Sequence, residues 1–150
     1  MPGLNAVKGF EVLGVEGATL TVDSSLVNFD DFLVSGSGSS IALTNAQDND
    51  TVTFENTSTG NAITMAGQNT ILNLNLAGDD TAVANVTATV TGATTVNIDS
   101  TGLKEEVAAA PNADNNVLAL TGDNMKLNLT GDQDLTLTLT GSSKGFTVDA

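Results

Sequence analysis

At 150 residues the chain has room for one domain with a real core, and with 40% hydrophobic but only 3% aromatic residues that core has to be built from Leu, Val, Ile and Ala. Eighteen Asp and Glu against four Lys and no Arg leave a net charge of −14, which repels nucleic acid and anionic membrane surfaces and favours divalent cations. The absence of Cys and His excludes disulfides, Ser-His-Asp and Cys-His catalysis, and imidazole ligation of zinc or copper.

Met1 to Val15 lacks the basic region and apolar stretch of a cleaved signal peptide. Beyond it, alternation with period two dominates. Leu20 and Val22, Phe32 and Val34, Ile41 and Leu43, and Val52 and Phe54 come first, followed by Ile63 and Met65 and by Leu72-Asn73-Leu74-Asn75-Leu76. Val86 through Val90, Val96 with Ile98, Leu118 with Leu120, and Leu127 with Leu129 continue the series. Leu135-Thr136-Leu137-Thr138-Leu139 and Phe146 with Val148 close it. In each run the apolar side chains share one face, and the other carries mostly Thr, Asn or Lys. Turn formers separate the runs: Ser35-Gly36-Ser37-Gly38, Asn45 to Asp50, Asn56 to Gly60, Gly78-Asp79-Asp80 and Thr130-Gly131-Asp132. One segment departs from this pattern. Leu103 to Ala110 contains good helix formers before Pro111, which predicts a loop or short helix inserted at 101–116. No apolar run approaches the ~20 residues of a membrane-spanning helix, so no membrane insertion is expected.

The reading is a single all-β domain over 1–150. Short strands with one or two inward aliphatics each suit a β-solenoid (β-helix), whose outward Thr and Asn can stack on like residues from rung to rung. An antiparallel β-sandwich is the alternative; against it, the chain lacks the Trp and Tyr that mark immunoglobulin-like cores.

Calcium is the expected use of the acids, because it takes six to eight oxygens and turns supply carboxylates, amide oxygens and carbonyls together. The candidate ligands are Asp30 and Asp31; Asp48, Asn49 and Asp50; Asp79 and Asp80; Asp123; and Asp132 with Asp134. Asp114 with Asn115 and Asn116 forms a further acidic turn. No EF-hand loop and no Gly-Gly-x-Gly-x-Asp nonapeptide is present. No phosphate-binding Gly-rich loop precedes a helix, and sugar-processing sites generally need Trp, Tyr or Arg side chains that are missing. An enzyme is therefore not expected.

Several segments carry a resemblance. Gly9-Phe10-Glu11-Val12-Leu13 ahead of Thr19-Leu20-Thr21-Val22, Gly92-Ala93-Thr94-Thr95-Val96-Asn97-Ile98, and the Leu-Thr-Gly-Asp segments at Leu120 to Asp123 and Leu129 to Asp132 resemble the lattice-forming region of bacterial S-layer proteins exported by type I secretion. Gly145 to Ala150 resembles an uncleaved export signal of that route. The resemblance implies a calcium-dependent β-solenoid outside the cell that associates with copies of itself. The expected function is thus a self-assembling extracellular protein at the cell surface, an S-layer, matrix or filament subunit. An adhesin module binding surface glycans or a protein is the second expectation, and a β-helical carbohydrate-active enzyme the third.

Overall fold

A computed structural model of the chain describes residues 11–67, 70–78, 83–101, 115–141 and 145–150. Thirteen strands follow one another: β1 Val12–Glu16, β2 Thr19–Asp23, β3 Asp31–Ser35, β4 Ser40–Ala46, β5 Thr51–Phe54, β6 Ser58–Met65 and β7 Thr70–Ala77. β8 Asn85–Thr91, β9 Ala93–Thr101, β10 Asn116–Thr121, β11 Met125–Gly131, β12 Leu135–Thr140 and β13 Phe146–Asp149 complete them. Among the described residues a 3-10 turn, Ser24–Leu26, lies between β2 and β3.

The odd strands form one seven-stranded sheet in chain order, and the even strands form a six-stranded sheet running from β2 to β12. Every pairing is parallel and joins strand n to strand n+2. The chain is therefore a two-sheet β-solenoid: each turn of the coil lays one strand on each sheet. All-parallel pairing rules out the antiparallel sandwich. The proposed insertion at 101–116 falls almost entirely on residues 102–114, outside the described residues.

Register explains the core. On the odd sheet Leu13, Phe32, Val52, Leu74, Ile98 and Leu129 stack in one inward column. On the even sheet Val22, Leu43, Ile63 and Val90 form another, with Val86–Leu118–Leu137 and Ala88–Leu120–Leu139 beside it. Leu72, Leu74, Leu76, Ile98, Leu118 and Leu127 are completely buried. A one-residue slip would turn each column out to water, so the aliphatic pattern locks the register.

The core also holds polar side chains, each with partners. Asn116 Nδ2 donates to the Leu76 carbonyl at 3.0 Å and to Ser100 Oγ at 3.0 Å, and its Oδ1 accepts from the Ala84 amide at 3.1 Å. It binds together strands of both sheets. Asn61, at an irregularity in the β6–β8 register, accepts from the Ile41 amide at 3.0 Å and donates to the Thr87 carbonyl at 3.0 Å. Each amide satisfies backbone groups that a kinked strand cannot pair itself.

Candidate interaction surfaces

The two outward faces differ in chemistry. Reading down one column of the odd sheet gives Val12, Asp31, Thr51, Asn73, Asn97, Asn128 and Asp149. Its centre is an asparagine ladder. Asn73 Nδ2 donates to the Asn49 carbonyl at 3.0 Å, Asn97 Nδ2 to Asn73 Oδ1 at 2.8 Å, and Asn128 Nδ2 to Asn97 Oδ1 at 2.8 Å. Because the first acceptor is a backbone carbonyl, the direction of every later amide is fixed. The ladder must end on an oxygen, and Asn128 Oδ1 is buried without a partner among the described residues. Asp149 occupies the next position in register. Its carboxylate offers no hydrogen when ionised, and it lies 3.4 Å from Lys126 Nζ instead.

The even sheet presents threonine. Thr19 and Thr21 on β2, Thr44 on β4, Thr64 on β6, Thr87, Thr89 and Thr91 on β8, Thr121 on β10, and Thr136, Thr138 and Thr140 on β12 are all exposed. Among the described residues of these strands, Asp23 is the one charged side chain. The odd strands, by contrast, carry Glu16, Asp31, Asp99, Lys126 and Asp149.

The acidic candidates are dispersed over the turns. Asp30 and Asp31 lie exposed at the start of β3. Asp48, Asn49 and Asp50 form the turn before β5, where Asn49 adopts φ +70°, but the two carboxylates have different surroundings. Asp48 Oδ1 accepts from the Ile71 amide at 2.8 Å. Asp50 is 1% exposed and accepts from Ser24 Oγ at 2.7 Å and the Gln47 amide at 2.8 Å. Burial pushes the Asp50 carboxyl above the ordinary range, the charges of Asp30 and Asp31 push the same way, and the two donors oppose the shift. Asp50 thus serves as an internal brace between the 3-10 turn and the β4–β5 turn. Asp123 lies between β10 and β11, and Asp132 and Asp134 lie between β11 and β12, all exposed. Asp79 and Asp80, like Asp114, lie outside the described residues. Among the described residues, no group of three or more acidic side chains is gathered as a metal ion would need.

Asp23, absent from the sequence-derived candidates, gathers three donors. It accepts from Ser25 Oγ at 2.6 Å, the Ser25 amide at 3.1 Å and Asn45 Nδ2 at 2.9 Å. The Ser25 hydroxyl, then Asn45, holds its carboxyl below the usual carboxylate range.

A third surface is the coil's C-terminal edge. Leu118 and Leu120 on β10 are 0% and 1% exposed. Leu135, Leu137 and Leu139 on β12, the next rung, are only partly covered, and Val148 on β13 is 49% exposed. The edges of β12 and β13 present parallel-strand amides and carbonyls with no further strand beside them among the described residues. No helix among the described residues is long and apolar enough to cross a membrane. No family model matches the chain, and neither curated proteins nor solved structures provide a match, so these surfaces are read from their own geometry.

Proposed function

We propose that this chain is a structural, self-associating extracellular protein whose rungs extend by pairing with another copy, as its resemblance to S-layer lattice regions implies. The observation that carries this reading is the half-covered leucine row on β12, one rung beyond leucines that are fully buried. Burying a Leu side chain completely stabilises by ~1.5–3 kcal/mol relative to exposure, so covering the part of these three leucines that is still exposed contributes about 0.2–1 kcal/mol each. The opposite end of the same sheet, β2, runs in the same direction. A second copy set head to tail places its β2 against β12 and its β1 against β13. Such a contact uses two different surfaces and does not close, which makes filaments or sheets.

Charge sets the condition. Two chains of −14 repel each other, and calcium at the acidic turns, with Asp132 and Asp134 nearest the C-terminal edge, relieves that repulsion. Light scattering over a concentration series, with calcium and with a chelator, tests this. Mass that grows with concentration and calcium supports the proposal. Leu137→Lys, which sets a charge on the edge row, is expected to stop growth while the far-UV β signature persists. A wild-type chain that stays monomeric at every calcium level ends it.

A further inference from the structure

The threonine face of the even sheet is not needed for end-to-end pairing, and its regularity has its own chemical meaning. Its densest part spans three strands. Thr89, Thr121 and Thr140 share one column, and Thr87, Ala119 and Thr138 the next. Along a strand, side chains on one face recur every ~6.6 Å, and parallel strands lie ~4.8 Å apart, so these hydroxyls and methyls form a rectangular net.

Three features narrow what such a net can bind. First, a net with threonine at five of its six nodes, Ala119 being the sixth, recognises a partner only where the partner repeats too; a folded protein or a single sugar presents different groups at each point. Second, threonine is β-branched and stiff about χ1, so the net is ordered before contact and loses little entropy on binding. Third, the face is almost free of charge in a chain of −14. Ionic side chains would each hold a hydration shell between the protein and an uncharged solid.

We propose that this face binds the surface of ice. The repeat between strands lies near the shorter oxygen spacing of the prism face of hexagonal ice, and the repeat along a strand falls short of the longer one by about a tenth. The hydroxyls take lattice positions and the methyls sit in the gaps between water molecules. Each hydroxyl contributes about 1 kcal/mol or less on its own. Held on one rigid sheet they engage together, so that their contributions accumulate as in any multivalent contact. Crystalline polysaccharide fits less well, because sugar faces stack on aromatic rings and the chain has no Trp or Tyr.

The test is nanolitre osmometry together with ice recrystallisation on the full chain, below the concentration at which any self-association is seen. The wild type is expected to shape ice crystals and depress their growth temperature. Thr121→Arg, on the middle strand of the net, should abolish both effects with an unchanged thermal melt. Thr147→Arg, exposed on the odd sheet, should leave both intact. Unshaped crystals, or equal loss in the two variants, overturn the proposal. So does Thr121-dependent binding to microcrystalline cellulose, or to another copy, without any effect on ice. The end-to-end reading stands or falls separately, by its light-scattering result.

Discussion

The asparagine ladder makes a prediction that can be worked through from geometry. Asn128 Oδ1 is buried and lacks a donor among the described residues, while Asp149 occupies the position in register beside it. In Asp149→Asn the new Nδ2 can continue the ladder by one step. Supplying a donor to a buried, unpaired carbonyl recovers its desolvation penalty, ~1–3 kcal/mol. The substitution also removes the contact with Lys126, but the two side chains are 49% and 69% exposed, and such surface pairs are worth ~0–1 kcal/mol. The net expectation is stabilisation of β13 by about 1.5 kcal/mol, the difference between the midpoints of those two ranges. The gain is local, because β13 pairs with β11 alone among the described strands. Hydrogen exchange is therefore the right assay: amides of Thr147 to Asp149 should gain protection of about one order of magnitude for each 1.4 kcal/mol, with little change in the global unfolding midpoint. Unchanged or faster exchange in this strand would mean that Asn128 Oδ1 is already satisfied, and the ladder argument would fail at its last step.

Two further outcomes follow from particular residues. Gly131 has φ +117° and faces Ser100 in register, where an added Cβ would overlap the Ser100 backbone; Gly131→Ala should cost ~2–4 kcal/mol from left-handed strain plus overpacking. Gly60 also has positive φ, +76°, but open space around it, so Gly60→Ala should cost only ~1 kcal/mol; urea unfolding of the pair gives the comparison, and equal costs would refute it. The raised carboxyl of Asp50 gives a pH test: its contribution is present below the ordinary Asp value of 3.8 and is lost as pH rises through the higher folded value. Asp50→Asn should therefore gain stability relative to wild type between acid and neutral pH, and a constant difference in urea midpoints across that span would show that burial does not penalise the carboxylate.

The solenoid was legible because its core needs only period two and aliphatic residues. Leu72, Leu74 and Leu76, and Leu118 and Leu120, were placed inward by alternation alone and are buried. The stacking of outward Asn and Thr was also readable as a tendency, but the particular ladder was not. Asn97 is 24 residues after Asn73, and Asn128 is 31 after Asn97. With turns of unequal length, no fixed period aligns these positions, and only the folded register does. Asn61 escaped notice, and Asn116 was read only as part of an acidic turn, for a related reason. Both bond to backbone groups at bends, and a bend leaves little trace in side-chain pattern. Asp50 looked like its neighbours in an acidic turn. Its distinct role comes from Ser24, 26 residues earlier.

A parallel coil sets like positions over one another, so a strongly acidic chain risks stacking acid on acid, which destabilises paired strands. The register pairs avoid it. Asp31 lies between Val12 and Thr51, Asp99 between Asn75 and Thr130, Asp23 beside Thr44, and Asp149 beside Asn128. Asp99 even accepts a hydrogen bond at 2.8 Å from the Thr130 hydroxyl of the next rung. Within the sheets, the columns are carried by Asn and Thr, which both donate and accept and so can stack on themselves, while the acids concentrate in the turns. The sheets therefore stack their rungs without setting like charges against each other, and the proposed calcium acts at the turns and between approaching copies. Removing calcium should leave the β signature and the urea midpoint of the monomer nearly unchanged and act on association alone; a chelator that unfolds the monomer would show that this division between stacked columns and charged turns is wrong.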